Sequence, residues 1–532
     1  MTCARRPHWQ LHCCSFQFLL LESFRSGNET EQCGEALVNL AEIIEQHPAD
    51  NVALISRGRP TTYGELRRQV ASLRGVLAEN GVERGDRVAI LCGNSRYFVL
   101  AYLATLGVGG IAVPLNIMSP ASEIQRELDT IQPRMVVVEP AAMTAWSNID
   151  RTSLTELRAV IATEGHDIAG AITLTESLMH APVPILNMSP TEVAAFIFTS
   201  GTAGSPKAAM LTHNNLHSNL EQLSTENVLR SSDVVYGVLP LFHIFGLNVV
   251  LGYTLFAGAS VVLVQRFDPS TALETFAERG VTVVPGAPQV WSALAHMPSN
   301  ECAVLSQLRV ALTGAAKMPE QVTVQLKERY GLVVHEGYGL TESSPVVTTS
   351  VNGSHKVGSI GKPLQGVSIR LVDEHGDDAE EGDSGEIWVH GENVFAGYYN
   401  DHEATDRVLT SDGWLRTGDI AVKDSDGDLF LVDRLKDLII VSGFNVYPAE
   451  VEQVLLAHSG IDQAAVVGVS HPHTGEAVRA YVVLHKGVHL DEESIIEHCQ
   501  KQLARYKCPS KVLIVESLPT GSTGKVLRRA LR

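Results

Sequence analysis

The stretch that decides the fold is Thr199-Ser200-Gly201-Thr202-Ala203-Gly204-Ser205-Pro206-Lys207, which follows the apolar run Val193-Ala194-Ala195-Phe196-Ile197-Phe198. The apolar run is typical of a buried strand. Glycines let backbone N–H groups approach an anion closely, hydroxyls donate further hydrogen bonds, and the lysine adds positive charge. This composition predicts a phosphate-binding loop at the end of a strand. A flexible surface turn is the alternative interpretation of the loop taken alone.

The loop does not have the spacing of a Walker A motif, which requires Gly, four residues and then Gly-Lys-Ser/Thr. Pro206 stands directly before Lys207, and the residue before a proline is disfavoured in helical backbone. We therefore expect no helix to begin at the lysine as it does in a Walker A loop.

Strand-like apolar runs alternate with helical periodicity on both sides of this loop. Residues 88–92 and 135–138 precede it, and residues 281–284 and 308–312 follow it. This alternation predicts an α/β fold with parallel sheets covered by helices, in which ligands bind beyond the carboxyl ends of the strands. From about Gly366 the strands become shorter and acidic turns more frequent, which predicts a mostly β subdomain.

The length and charge of the chain limit its class. A chain of 532 residues is too long for one core, so we expect at least two domains. We predict an N-terminal domain over 35–433 and a small α+β C-terminal domain over 437–532. Residues 1–34 are expected to be a disordered extension or the product of a start codon placed too early. The formal net charge of −19, without a basic run, argues against nucleic acid as a partner.

The cysteines and the hydrophobic segments indicate a cytoplasmic protein without a transmembrane segment. The eight cysteines include no CxxC pair, which favours reduced thiols over a disulfide framework or a zinc site. Residues 244–264 carry no charge, yet glycines and Asn248 interrupt them, so we predict a buried helix followed by a buried strand. Peripheral membrane association stays open, as does the choice between a monomer and a homodimer.

Five segments, taken in order, resemble the adenylate-forming superfamily, which contains acyl-CoA synthetases, aryl-CoA ligases, luciferases and peptide-synthetase adenylation domains. They are residues 199–207, 336–342 (Glu-Gly-Tyr-Gly-Leu-Thr-Glu), 414–419 (Trp-Leu-Arg-Thr-Gly-Asp), 433–437 with 442–448, and 523–525 (Thr-Gly-Lys). Each segment alone is a weak signal, whereas all five in order over residues 37–532 are very specific. The resemblance implies that a carboxylate attacks the α-phosphate of Mg-ATP, and that coenzyme A then displaces AMP from the acyl adenylate.

The resemblance assigns the nucleotide site to residues of the first four segments and to residues 314–316, which with Tyr338 would form a slot for adenine. Glu342 and Thr199 would hold Mg²⁺, Thr341 would touch the α-phosphate, Tyr338 would stack on adenine, and Asp419 would accept hydrogen bonds from the ribose. The full set implied for ATP and AMP is Thr199, Ser200, Gly201, Thr202, Gly204, Lys207, Gly314, Ala315, Ala316, Glu336, Gly337, Tyr338, Gly339, Thr341, Asp419 and Arg434.

The resemblance also implies a moving C-terminal domain. Lys525 would bridge the acyl carboxylate and the α-phosphate during adenylation, and Lys436, within 434–436, would be the hinge. Rotation about that hinge would replace Lys525 by a loop that lines the coenzyme A tunnel, formed by Ser442, Gly443 and Phe444. His243 matches a position whose ring closes over the carboxylate end of the acid pocket. We therefore predict Lys525, His243 and Glu342 as the catalytic residues.

The sequence departs from the family pattern at three places. Ala203 replaces a threonine and so removes a hydroxyl donor, Ala208 replaces a glycine, and Thr520-Gly521 replaces a common Lys-Thr. Every residue assigned to the chemistry is nevertheless present, which argues against a binding protein that has lost its activity.

The segments 239–246 and 441–448 look most like those of bacterial medium- and long-chain fatty acid–CoA ligases. The pocket candidates are apolar, which suits an alkyl chain because burial of each CH₂ contributes about 0.8 kcal/mol; they are Ile244, Leu247, Val284 and Val346. We therefore predict a fatty acid–CoA ligase. The alternatives are an aryl or other acid–CoA ligase, and an acyl-AMP ligase that passes the adenylate to a carrier protein.

Overall fold

The computed structural model describes residues 39–163, 168–199, 206–298, 303–353, 355–434, 437–441, 444–471, 474–521 and 526–532, all of them within one compact unit, Leu37–Arg532. The strands in these ranges are β1 (Val52–Ser56), β2 (Arg59–Thr62), β3 (Arg87–Leu91), β4 (Ile111–Pro114), β5 (Met135–Val138), β6 (Ala159–Ala162), β7 (Ile172–Thr173), β8 (Val193–Thr199), β9 (Lys207–Thr212), β10 (Val234–Gly237), β11 (Ser260–Leu263), β12 (Val283–Gly286), β13 (Val310–Thr313), β14 (Val334–Gly339), β15 (Val346–Thr349), β16 (Ser359–Pro363), β17 (Ser368–Val372), β18 (Ser384–His390), β19 (Leu415–Lys423), β20 (Leu429–Arg434), β21 (Ile439–Val441), β22 (Phe444–Val446), β23 (Ile461–His471), β24 (Gly475–Leu484) and β25 (Lys511–Ile514).

The α-helices of the same ranges are α1 (Tyr63–Glu79), α2 (Arg96–Gly107), α3 (Ala121–Ile131), α4 (Met143–Trp146), α5 (Leu174–Leu178), α6 (His213–Thr225), α7 (Tyr253–Phe256), α8 (Pro269–Arg279), α9 (Pro288–Ala295), α10 (Glu320–Tyr330), α11 (His402–Val408), α12 (Pro448–Leu456) and α13 (Glu492–Gln500). A π-helix (Phe245–Gly252) runs directly into α7, and short 3₁₀ turns include Thr341–Ser343 and Arg505–Lys507.

Local sequence signals explain where the helices begin. The side chain of Thr62 accepts a hydrogen bond from the backbone N–H of Glu65 and so caps α1. Thr212 and Asn215 form reciprocal hydrogen bonds at the start of α6, directly after β9. Pro448 occupies the first turn of α12, where its missing N–H leaves no helical hydrogen bond unmade.

Two large sheets carry the N-terminal part of the chain. The first has the order β7-β6-β5-β3-β4-β8-β9 and is parallel except for the antiparallel pair β8–β9. The second has the order β17-β18-β19-β20-β16-β15-β14-β13-β12-β10-β11-β1-β2, parallel from β14 to β1 and antiparallel from β14 to β17. The predicted α/β class, with helix-covered parallel strands followed by a β subdomain, is confirmed.

A shared apolar core joins the two large sheets. It takes residues from β1 and β3, which belong to different sheets, and from α1, α2 and α6. Ten of the twelve residues of α2 are buried, because this helix is enclosed by other elements of that core. The ends of β3 and β10, which belong to different sheets, lie close together, because Asn94 donates to the carbonyl of Gly237.

The uncharged segment 244–264 is a buried helix followed by a buried strand, as the sequence predicts. The π-helix and α7 occupy its first part and β11 its second. Within the described ranges, no helix is both long enough and apolar enough to cross a membrane.

The C-terminal residues form a separate sheet. From Ile439 onward the strands pair in the order β22-β21-β24-β23, with β25 beside β24, and α12 and α13 share their core. The last strand of the large sheet ends at Arg434. The boundaries at 35–433 and 437–532 and the hinge at 434–436 stay predictions, and Lys436 and residues 1–34 lie outside the described residues.

Candidate active site

The predicted phosphate loop connects two antiparallel strands. β8 ends at Thr199 and β9 begins at Lys207, and these two residues face each other across the strand pair. Both are half-buried. The predicted residues between them, Ser200, Gly201, Thr202 and Gly204, lie outside the described residues. The expectation that no helix begins at the lysine is correct, because a strand begins there.

Lys207 and Glu342 both lie next to one tyrosine, Tyr398. The Nζ atom of Lys207 lies 5.2 Å from the ring centroid of Tyr398 and 3.6 Å from Oδ2 of Asp401. The Tyr398 hydroxyl donates a hydrogen bond to Oε1 of Glu342, with an O–O distance of 2.6 Å. Burial and the Glu342 carboxylate raise the pKa of Tyr398, so its hydroxyl keeps its proton and acts as the donor.

The position of Tyr398 follows from backbone pairing with β9. Met210 N donates to the carbonyl of Gly397 at 2.9 Å, and Tyr399 N donates to the carbonyl of Ala208 at 2.8 Å. Sequence reasoning missed Tyr398 and Asp401. No local pattern marks them, because their role depends on how residues 396–399 lie against a strand almost two hundred residues earlier.

Three buried asparagines hold the loop that carries Thr341 and Glu342. Asn248 donates to the carbonyl of Ser344 at 2.8 Å, Asn393 to that of Ser343 at 2.9 Å, and Asn219 to that of Val346 at 2.8 Å. The loop is also close-packed, since a Cβ on Gly339 would lie 1.9 Å from the carbonyl oxygen of Pro345. The backbone around Glu342 is therefore fixed from several elements.

Tyr338 and Asp419 make a direct contact. The Tyr338 hydroxyl donates to Oδ2 of Asp419 at 2.7 Å, and both side chains are buried. Asp419 lies on β19 opposite Arg434 of β20, whose side chain lies outside the described part of the molecule. The structure thus joins the two residues that the resemblance assigns to adenine and ribose.

The Gly314-Ala315-Ala316 segment follows β13 directly and lies beside β14. A Cβ on Gly314 would lie 3.3 Å from both the carbonyl oxygen of Gly337 and the ring of Phe245, so a larger residue would crowd this bend. Ala315 has a φ of 71°, which a non-glycine residue rarely adopts. Glu336 is buried on β14, and burial raises its pKa to about 7.

The geometry of His243 defines its tautomer. The backbone N–H of Phe245 donates to Nδ1 of His243 at 3.2 Å. Because Nδ1 accepts this hydrogen bond, the neutral imidazole carries its proton on Nε2. In this tautomer the N–H group of the ring lies on the nitrogen that does not take part in the backbone contact.

Asn94 holds the segment that leads to His243. Its amide nitrogen donates to the carbonyls of Gly237 at 3.1 Å and Leu239 at 2.9 Å, and its oxygen accepts from the N–H of Leu241 at 3.0 Å. On the other side, the fully buried carboxylate of Glu139 accepts from Gly93 N and Ser95 Oγ, the neighbours of Asn94, each at 3.0 Å. Sequence reasoning missed both residues.

Three of the four apolar pocket candidates, Ile244, Leu247 and Val346, belong to or pack against the same core. Ile244 and Leu247 are fully buried in the core that joins the large sheets. Val284 belongs to a different core, beneath α8 and α9, while Val346 is only partly buried. Their role as the lining of an acid pocket stays a prediction.

Two family models match the sequence of this chain. The sequence model of the AMP-binding enzymes matches residues 40–399, and that of the AMP-binding enzyme C-terminal domain matches residues 450–525. This chain belongs to the AMP-binding enzymes, the family of adenylate-forming acyl-CoA ligases.

Relatives of this AMP-binding enzyme differ in the acid that they are named for. It is 32% identical to a long-chain-fatty-acid–CoA ligase of Bacillus subtilis (strain 168), over 91% of each chain. It is 36% identical to a feruloyl-CoA synthase of an Amycolatopsis species, over 89% of this chain and 94% of that one. The crystal structure of ATP-bound MatB from Rhodopseudomonas palustris superposes with a TM-score of 0.87 at 32% identity, over 93% of this chain and 98% of that one.

The C-terminal residues predicted for this AMP-binding enzyme are described only in part. Lys525, Ser442 and Gly443 lie outside the described residues. Phe444 is the first residue of β22, and its side chain is 56% exposed. Its ring stacks on that of Tyr506, with centroids 4.8 Å apart and an angle of 29° between the planes.

The described residues fit a Mg²⁺ ion that is bound partly by the protein and partly by the phosphates of ATP. They contain no cluster of three or more His, Cys, Asp or Glu side chains able to hold a metal by themselves. Glu342, with Tyr398 on one of its oxygens, offers one carboxylate, and Mg²⁺ is commonly bound by one or two carboxylates together with substrate phosphates.

Proposed function

We propose that this AMP-binding enzyme activates a fatty acid in two steps. The acid and ATP give an acyl adenylate and pyrophosphate, and coenzyme A then gives the acyl-CoA thioester and AMP. The observation that carries this proposal is the connection of Lys207, Tyr398 and Glu342, because it joins a cation for phosphates to a carboxylate for the metal.

The phosphates of ATP and its adenosine would be bound by two separate groups of residues. Lys207 and Thr199, with the loop between them, would hold the β- and γ-phosphates, while Tyr338 and Asp419 would take the adenine and ribose. Glu342 and Thr199 would hold Mg²⁺, which when bound neutralises phosphate charge. Phosphoryl chemistry of this kind depends mostly on positioning and on stabilisation of charge.

The acid would lie with its carboxylate near His243. The Nε2–H of that ring, fixed by the hydrogen bond at Nδ1, would donate to the carboxylate as it approaches the α-phosphate. Lys525 would place its ammonium group between the two negatively charged groups. In the second step the C-terminal domain would rotate about Lys436, and Ser442, Gly443 and Phe444 would line the path of the thiol.

Two observations support an alkyl substrate. The π-helix that follows His243 contains no charged side chain, and one of the most similar relatives is named for long-chain fatty acids. The second candidate substrate is an aryl acid, which the 36% identity to a feruloyl-CoA synthase favours.

The test is pyrophosphate release from ATP with a panel of saturated fatty acids and aryl acids, each with and without coenzyme A. Thioester formation is followed in parallel. A signal with fatty acids and a CoA thioester product is expected. A response restricted to aryl acids would show that the substrate is an aryl acid rather than a fatty acid. Pyrophosphate release without thioester would indicate transfer to a carrier protein.

A further inference from the structure

The aromatic pair Phe444–Tyr506 is exposed on one side and anchored on the other. Phe444 keeps 56% of its surface exposed, so burial alone does not fix its ring. Tyr506 is partly buried and packs against the core of the C-terminal sheet. The Tyr506 ring, which packs against that core, therefore supports the Phe444 ring, which burial does not fix.

The segment that carries Tyr506 is itself tied to the segment that carries Phe444. Lys507 donates to both carboxylate oxygens of Glu450, each at 2.7 Å. Glu450 lies in the first turn of α12, three residues after Tyr447, the residue that precedes this helix. The 3₁₀ turn Arg505–Lys507 thus contacts the first and the last residue of the segment 444–450, through Tyr506 and Lys507 respectively.

We propose that Tyr506 is a positioning residue for the thioester step. This inference rests on the proposed function, in which Phe444 lines the path of the coenzyme A thiol. An exposed phenylalanine samples several rotamers, and a stacked partner restricts it to one. Tyr506 holds the Phe444 ring in the orientation that the thiol path needs, and it has no part in adenylation.

The two half-reactions separate this role from a structural one. Tyr506→Ala in the full-length enzyme is expected to slow thioester formation from a supplied acyl adenylate about 3- to 10-fold, the range of a lost aromatic pair. Pyrophosphate release without coenzyme A should keep the wild-type rate. Tyr506→Phe keeps the stack and should restore thioester formation.

A double-mutant cycle shows whether Tyr506 acts through Phe444. Phe444→Ala and the double variant with Tyr506→Ala should form thioester at the same rate, because the second change removes a contact already lost. Tyr481→Phe is the control, since that hydroxyl donates to the carbonyl of Leu531 in the same domain; it should leave both half-reactions unchanged.

Three results would overturn the inference: a normal thioester rate in Tyr506→Ala, an equal loss in both half-reactions, or additive effects in the cycle. A wild-type enzyme that releases pyrophosphate but forms no CoA thioester would instead overturn the proposed function. The two failures are therefore distinct.

Discussion

The hydroxyl of Tyr398 donates a hydrogen bond to the carboxylate of Glu342, and the same tyrosine ring lies beneath the ammonium group of Lys207. Lys207 begins β9, whereas Glu342 follows β14 in the other large sheet. One side chain thus joins the two charged groups that the proposed function assigns to phosphate and metal.

Removal of the Tyr398 hydroxyl should weaken metal-dependent adenylation. Tyr398→Phe keeps the ring beside Lys207 but leaves Glu342 without this donor, and a hydrogen bond to a charged group contributes about 1.5–3 kcal/mol. We expect pyrophosphate release to fall about 10-fold and its Mg²⁺ dependence to shift to higher concentration.

Tyr399→Phe is the matched control. The ring of Tyr399 packs against that of Phe196 on β8, with ring centroids 4.7 Å apart. A Tyr398→Phe enzyme with the wild-type Mg²⁺ dependence would contradict the assignment of Glu342 as a metal ligand supported by Tyr398.

Loss of the Tyr338 hydroxyl should affect the binding of ATP more than the rate at saturation. Tyr338→Phe keeps the ring and removes one buried hydrogen-bond donor from the Asp419 carboxylate. The net contribution of such a hydrogen bond is about 1 kcal/mol or somewhat more. We expect KM for ATP to rise about 5- to 10-fold while kcat changes less than 2-fold, as measured by ATP titration of pyrophosphate release. A change confined to kcat would argue that Tyr338 and Asp419 do not serve the nucleotide.

Asn94 should prove important for both stability and adenylation. Asn94→Ala removes three hydrogen bonds that hold the segment before His243, at about 1 kcal/mol each. We expect a loss of about 3 kcal/mol in the free energy of unfolding and a fall in adenylation of at least 10-fold under conditions where the variant remains folded.

Asn80→Ala is the control for this variant, since the side-chain amide of Asn80 donates to the carbonyl of Val76 in the last turn of its own helix. It should lower stability by less than 1 kcal/mol and leave adenylation unchanged. If Asn94→Ala were destabilised but fully active while folded, the position of His243 would not depend on Asn94.

The sequence predicts the order of the elements and the residues that lie in motifs, because strands, caps and glycine bends leave local patterns. The uncharged segment 244–264 is a buried helix followed by a buried strand, as expected, and the contact of Tyr338 with Asp419 joins two of the predicted motifs. Tyr398 and Asn94 could not be found in this way, because their contacts are made across the sheets by residues far apart in the chain. The roles of the predicted residues, Lys525 among them, stay predictions.

The buried carboxyl group of Glu336 should make stability depend on pH. Its pKa in the folded protein is raised by burial to about 7, above the usual value of 4.5, so the folded state binds a proton that the unfolded state has already released. The stabilising contribution is fully present below about pH 4.5 and is lost as the pH rises through 7. Glu336→Gln resembles the protonated form and should be more stable than the wild type at pH 8, by up to about 3 kcal/mol, and nearly equal to it at pH 5. Thermal unfolding at the two pH values measures this difference, with Glu320→Gln, an exposed change at the start of α10, as the control that should show no pH-dependent gain. A gain of the same size at pH 5 and pH 8 would mean that the pKa of Glu336 does not differ between the folded and unfolded states.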